Sequence, residues 1–159
     1  MAEVVTVKVN ASHVDLKLAA LPNEVRAAVT ETALTLVGEL ADLARERAET
    51  LLAVRTGRFV ASIKEGLRQG ENSVTARVFS YAKTANLFEW GGKTGAHEIL
   101  PDKVKALALP GGKFAARVQH PGGNYERRSI IHGAFAQLKP EIVSELEAAA
   151  NEAAARASE

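Results

Sequence analysis

The chain has 159 residues, and its 20 Lys and Arg nearly balance its 19 Asp and Glu, which gives a formal net charge of +1. This length suits one domain with one core, and the balanced charge argues against a polyanion as the main partner, although local basic patches are compatible with it. The sequence contains no cysteine, which excludes disulfides and thiolate metal sites.

The N-terminal segment, residues 1–21, is predicted to form a strand and then a short helix. Apolar and polar residues alternate between Val5 and Val9, as in a strand. Ser12 and Asp15 have the spacing of a capping box, which predicts that a short helix begins there. The segment lacks the regions of a signal peptide, and no run approaches the ~20 apolar residues of a membrane span. We therefore expect synthesis in the cytoplasm and no membrane partner.

The next region predicts a long helix followed by a hairpin. Apolar residues recur every three or four positions in Glu24–Val54, which indicates an amphipathic helix roughly 45 Å long at ~1.5 Å per residue. Gly57 suits the left-handed conformation that follows a helix. The segments Ser62–Arg68 and Ser73–Ser80 flank a turn, and the second alternates clearly, so together they predict an antiparallel hairpin.

The second half of the chain predicts a short helix, an arm and a closing helix. Residues 82–90 have a helical pattern, and residues 91–124 are rich in Gly and Pro, with several extended pieces between them. An apolar stripe from 128 to 155 predicts the closing helix, with a kink or break near Lys139 because Pro140 follows.

These elements together predict an α+β fold in a single domain, residues 1–159. The long N-terminal amphipathic helix and the C-terminal helix are expected to pack on a small antiparallel sheet. The Gly/Pro-rich segment 91–124 is expected to form a flexible, extended arm or loop.

The motifs of common reaction and cofactor sites are incomplete in this sequence. Gly92-Lys93-Thr94 ends like a phosphate-binding loop, but Leu87 stands where the first Gly belongs. His97-Glu98 begins like a zinc-protease motif, but Pro101 replaces the second His. The four histidines show no ligand spacing. We therefore expect no catalytic, cofactor or metal site and no enzyme activity.

Two groups of residues have more than one interpretation. Arg55, Arg58, Lys64 and Arg68 form a loose basic cluster, which predicts either a solvated edge or, as the alternative function, a DNA-binding module. Phe88 and Trp90 precede a Gly-rich stretch and are either apolar anchors for a partner or core residues.

Several short motifs follow one another in a distinctive order. They are Arg55-Thr56-Gly57-Arg58-Phe59 with Ser62-Ile63, Tyr81-Ala82, Phe88-Glu89-Trp90-Gly91, His120-Pro121-Gly122 and Arg128-Ser129-Ile130. This order resembles the neck and tail-completion (head–tail joining) proteins of long-tailed bacteriophages, in which a long helix leads to a "Thr-Gly-x-Leu-x-x-Ser" turn, a hairpin, a "Tyr-Ala-x-x-x-Glu-x-Gly" helix, a "His-Pro-Gly" loop and a final helix. The resemblance covers roughly residues 24 to 155.

The resemblance implies a structural virion protein without catalysis. Proteins of this family resemble ring-forming components at the head–tail junction. The resemblance therefore implies a homo-oligomeric, six-fold ring around the DNA channel. The implied partners are other copies, the connector or stopper, and tail terminator or tail tube proteins, with double-stranded DNA passing through non-specifically. The implied location is the virion, after assembly in the host cytoplasm.

The resemblance also suggests which residues make these contacts. The expected oligomer or partner interface contains Phe88, Trp90, Gly91, Gly92, His120, Pro121 and Gly122. The residues expected to face the DNA channel are Arg55, Arg58, Lys64 and Arg68.

Overall fold

The fold is α+β, as the sequence predicts, and a computed structural model describes it over residues 6–10, 13–17, 23–53, 57–70, 73–102 and 104–157. The chain divides into two compact units. The first unit contains the described residues up to Ala85 and those from Ser129 onward, and the second is Asn86–Arg128. The domain predicted for residues 1–159 therefore has two parts, and the predicted arm, 91–124, lies within the second.

The long predicted helix is present as α1 (Asn23–Leu51), and it packs against the C-terminal helix α4 (Ile131–Arg156). Its buried residues recur every three or four positions, so they share one side of the helix. They are Val25, Val29, Ala33, Leu36, Val37, Leu40, Ala41, Ala44 and Ala48. Because α4 presents buried residues such as Leu146 to the same core, the two helices form one layer of the first unit.

Of the kink or break predicted near Lys139, the break is wrong, because α4 is one helix that contains Pro140, and the kink stays a prediction. Proline removes one backbone donor and leaves the carbonyl of Ala136 without its helical partner. Ala136 and Pro140 are exposed, so water can satisfy that carbonyl. The buried residues Phe135 and Ile142 lie on either side and hold the helix against the core.

A four-stranded antiparallel sheet forms the other layer of the first unit, in the order β1-β2-β4-β3. Its strands are β1 (Thr6–Asn10), β2 (His13–Lys17), β3 (Ile63–Gln69) and β4 (Ser73–Ser80). The predicted hairpin is confirmed as β3 and β4, paired from Ile63↔Ser80 to Gln69↔Val74. The buried residues of these two strands (Ile63, Val74, Ala76 and Val78) lie on the side that faces the helices. One turn of helix, α2 (Arg58–Ser62), precedes β3, and Gly57 before it has a φ of 64°.

The short helix predicted after the first strand is wrong, because His13–Lys17 forms β2. This segment pairs with β1 on one side and with β4 on the other, for example through Val14↔Val9 and Val14↔Ala76. Two complete ladders provide more backbone hydrogen bonds than a helix of one or two turns, and they outweigh the local capping signal. Ser12, the predicted cap, lies outside the described residues.

The second unit contains a short helix and three two-stranded antiparallel sheets. The helix α3 (Ala85–Trp90) begins at the boundary with the first unit and confirms the helix predicted in 82–90. The pairs are β5 (Gly92–Thr94) with β10 (Gly123–Tyr125), β6 (His97–Ile99) with β9 (Val118–His120), and β7 (Leu107–Leu109) with β8 (Lys113–Ala115). These pairs are nested around the turn at 110–112, so they form one interrupted antiparallel ribbon within the expected arm.

Candidate functional site

All seven residues predicted for the partner interface lie in the second unit, and the β5–β10 pair connects their two segments. Gly92 pairs with Tyr125, and Thr94 pairs with Gly123. The backbone of Gly122 lies against Thr94 and Gly95, where no Cβ fits. The Gly-rich stretch after α3 and the His-Pro-Gly loop are therefore neighbours in space, although about thirty residues separate them in the sequence.

Trp90 is a surface residue, since its exposed fraction is 57%. This exposure rules out the interpretation of Trp90 as a core residue, whereas Phe88 is half-buried. The guanidinium of Arg127 lies over the indole at 5.1 Å from the ring centroid, which fixes a cation on one face of the ring. Sequence reasoning missed Arg127, because the pairing of β5 with β10 is what brings it to Trp90.

The second unit has no buried apolar core of its own. Across its described residues, 86–102 and 104–128, the only buried residue is Glu89. Eight large apolar side chains are exposed in the described chain, and six belong to this unit: Trp90, Ile99, Leu100, Val104, Phe114 and Tyr125. Sequence reasoning missed Phe114, the most exposed of the six at 74%, because a lone aromatic between lysine and alanine gives no periodic signal.

The predicted basic cluster is only partly a cluster in the structure. Lys64 and Arg68 lie on β3 with even spacing, so they share the face of the sheet that points away from the helices, and both are exposed. Arg77 of β4 joins them, because it pairs with Gly66 between the two. Arg58 is exposed on α2, and Arg55 lies outside the described residues. Whether any of these residues faces DNA stays a prediction.

Aromatic rings lie beside these cations on the same face. Arg77 is placed over the ring of Phe79 at 4.9 Å from its centroid, and Phe79 meets Tyr81 edge to face with centroids 5.0 Å apart. Phe79 also lies beside Gly66 of the neighbouring strand. The outer face of the hairpin therefore presents ordered cations and rings.

Ionisable groups do not converge on an enclosed site in the described residues. No group of three or more His, Asp or Glu has the arrangement of a metal site there. The structure stacks His97 on His120 with centroids 4.9 Å apart, a pairing set by the β6–β9 register. The Nδ1 atom of His120 accepts a hydrogen bond of 3.0 Å from the Gly122 amide, so this ring stabilises the His-Pro-Gly loop.

The helix–sheet boundary of the first unit contains a small void and one ionic connection. The void, of about 20 Å³, is lined by apolar residues that include Leu36, Leu40 and Phe135. Arg45 connects α1 to the sheet. Burial by itself would lower the pKa of Arg45, but its hydrogen bonds to Asp42 and Glu65 raise it.

No protein-family model matches this chain, and no match is found among curated proteins or solved structures. Within the described part of the chain, none of the helices combines the length and the apolarity that crossing a membrane requires.

Proposed function

We propose that this protein is a structural component of the neck of a long-tailed bacteriophage, where it joins head and tail as one subunit of a ring. Its neighbours are further copies, the connector or stopper, and the tail terminator or tail tube protein. DNA passes through the ring without sequence-specific contacts, and the protein performs no catalysis.

One observation carries this proposal: the second unit lacks a core but exposes six large apolar side chains. Two-stranded ribbons are marginally stable alone in water, and they need a further surface to cover their apolar side chains. Exposed aromatic residues such as Trp90, with Arg127 on its ring, are typical anchors of protein interfaces. A ribbon of this kind is suited to fold against a neighbouring copy, as a ring subunit requires.

The positions of the family-like motifs support the same proposal. Gly57, in the "Thr-Gly" motif, has a left-handed backbone after α1. The hydroxyls of Ser62 and Ser80 lie 2.7 Å apart and join the two ends of the hairpin that follows. Glu89, of the helix motif, is buried, and Gly122, of the His-Pro-Gly motif, fits against Thr94. These motif residues each have a definite structural role, which is expected if the resemblance reflects a shared architecture.

The experiment is a test of assembly at the head–tail junction. Tagged protein is added to tails that lack it, and negative-stain images locate the tag. We expect the tag at one end of the tail and a restored ability to join heads. A tag that is uniformly absent from tail ends and heads contradicts the proposal.

Two substitutions test whether the exposed apolar side chains of the second unit make the contact. Trp90→Ala and Phe114→Ala each remove an exposed ring, and each is expected to reduce incorporation into particles while leaving the melting temperature of the free protein unchanged. Leu34→Ala is the matched control, because Leu34 is also exposed but lies on α1 in the first unit. Equal incorporation of all three variants would show that the ribbon surface is not the contact.

A further inference from the structure

The outer side of α1 is a continuous acidic stripe. Six carboxylates are exposed there: Glu24, Glu31, Glu39, Asp42, Glu46 and Glu49. At 3.6 residues per turn they fall within about 80° of arc, opposite the buried side. The three arginines of α1 lie outside this arc: Arg45 donates to Glu65, Arg47 donates to the carbonyl of Ser129, and Arg26 is half-buried.

The C-terminal half of this stripe repels itself. Glu39, Asp42, Glu46 and Glu49 follow one another at spacings of three and four residues, which makes three successive pairs of like-charged neighbours. Such pairs destabilise a helix, because the charges are neighbours on its surface. Asp42 has Arg45 at 2.6 Å, but no ion pair joins the other three to any described residue. Glu39, Glu46 and Glu49 therefore have no cationic partner among the described side chains.

The outer face of the β3–β4 hairpin has the opposite charge. Its exposed cations are Lys64, Arg68 and Arg77, and none of them forms an ion pair with a residue of 23–53, 57–70, 73–102 or 104–157. The remaining outward positions of the two strands are Gly66, Ser73, Thr75 and Phe79, so these strands place no carboxylate there. The Glu65 side chain belongs to the opposite face, where it pairs with Arg45.

The two surfaces match in length and lie on opposite sides of the first unit. Lys64 and Arg68 are about 13 Å apart along the strand at ~3.3 Å per residue, and Glu39 and Glu49 are about 15 Å apart along the helix at ~1.5 Å per residue. The inner face of the hairpin packs on α1, so the cations point away from the layer that carries the carboxylates. The carboxylates of α1 therefore cannot reach these cations within one copy, but those of a second copy can.

We propose that the basic hairpin face of one copy docks on the acidic stripe of α1 in the next copy. The contact pairs Lys64, Arg68 and Arg77 with Glu39, Glu46 and Glu49. Because the two surfaces differ, the contact is heterologous, and its repetition builds a ring or a filament. This inference rests on the proposed self-assembly and specifies which surfaces of the first unit take part.

A second copy accounts for both charged surfaces, whereas a nucleic acid accounts for one. Phosphates would be attracted to the hairpin face, but the acidic stripe would repel them, and the chain has a net charge of only +1. The carboxylates of the stripe would also remain unpaired in a nucleic-acid complex. Charge complementarity within one sequence therefore favours self-association.

The experiment uses charge reversal in the full chain. The hairpin variant combines Lys64→Glu, Arg68→Glu and Arg77→Glu, and the helix variant combines Glu39→Lys, Glu46→Lys and Glu49→Lys. Sedimentation at low and high salt measures self-association. We expect the affinity of self-association to fall by at least a factor on the order of ten in each variant alone, compared with the unaltered protein. An equimolar mixture of the two should associate again, because each then offers the charge that the other needs.

Matched controls reverse the same amount of charge elsewhere on the first unit. Lys83→Glu with Lys139→Glu and Arg156→Glu controls for the hairpin variant, and Glu141→Lys with Glu145→Lys and Glu147→Lys controls for the helix variant. Each should associate like the unaltered protein. If a reversed variant loses the normal melting curve, glutamine at the same three positions replaces it, and the result that counts is then weaker association of that variant alone, without the mixture.

The outcomes separate this inference from the proposed function. If the unaltered protein stays monomeric up to on the order of 1 mM at low salt, or if the mixture fails to associate, the docking is wrong. Binding of a short DNA duplex that the hairpin variant loses, without self-association, also overturns it in favour of DNA binding. Normal salt-dependent association by a protein that never appears on tails would leave the docking correct and the neck function wrong.

Discussion

Arg45 on α1 donates a hydrogen bond of 2.7 Å to Glu65 on β3, and this pair joins the long helix to the edge of the sheet. The same guanidinium donates to the Ile63 carbonyl at 3.2 Å and to Asp42 at 2.6 Å. One side chain therefore fixes the helix to the start of the strand, next to the buried side chain of Ile63.

Arg45→Met is expected to lower the free energy of unfolding by about 1 kcal/mol, because it removes hydrogen bonds to two exposed carboxylates and one carbonyl. Methionine retains the apolar stem, so the loss reflects the polar contacts. Urea denaturation measures it. The control is Arg156→Met. The partner of Arg156 is Glu152, an exposed residue four positions earlier on the same helix. This variant should change the free energy of unfolding by less than about 0.5 kcal/mol. Equal effects from both variants would contradict the role of Arg45.

Leu40→Asp is expected to prevent cooperative folding, because Leu40 is 5% exposed and faces Phe135 and Leu146 across the small apolar void. A carboxylate has no partner there, and burying it costs several kcal/mol or more. Circular dichroism melting checks this expectation. Leu34→Asp on the same helix is the control, since Leu34 is 58% exposed, and it should melt normally. A native-like melting curve for Leu40→Asp contradicts the packing described.

Gly122→Ala is expected to loosen the ribbon of the second unit. Gly122 has a φ of 85°, and its Cβ would overlap the Thr94 carbonyl oxygen. Gly111→Ala separates the effect of the positive φ from the effect of steric overlap, because Gly111 has a similar φ of 80° but open space around it. We expect about 1 kcal/mol of local destabilisation at Gly111 and roughly 2–4 kcal/mol at Gly122. Amide hydrogen exchange in 92–125 measures both, and equal effects would contradict the close packing.

Excision of the second unit should leave the first unit folded. The Arg128 amide donates to the Phe88 carbonyl at 2.8 Å, so residues 89–127 can be replaced by a short glycine linker without moving either end. Every buried apolar residue in the described chain belongs to the first unit, which keeps its core. We expect cooperative urea unfolding together with loss of incorporation into particles. Normal incorporation would refute the role given to the ribbon.

Regular hydrophobic patterns that extend over many residues predicted the first unit well. The stripe from Val25 to Ala48 predicted α1, and the alternation of Val74, Ala76 and Val78 predicted β4, because in both cases one face of a regular element is buried. The error at β2 arose because five residues are too few to separate a period of two from a helical turn. Pairing with β1 and β4 decided the conformation there.

The candidate surfaces were only partly predictable. The sequence drew attention to Trp90, His97 and His120, but not to Arg127 or to the stacking of the two histidines. Those contacts depend on which strand of the ribbon pairs with which, and short strands among Gly and Pro carry no register information in their sequence. Likewise, Arg77 joined Lys64 and Arg68 only once the register of the hairpin was known.

The position of α4 has a consequence for synthesis. The ribosome makes α1, the sheet and the whole ribbon before it reaches Ile131. Because synthesis adds roughly 5–20 residues each second, the apolar side of α1 lacks the cover of α4 for several seconds or more. The interior of the first unit therefore closes only after α4 has been made. Messages that stop before the codon for Ile131 should yield chains that chaperones retain or proteases remove.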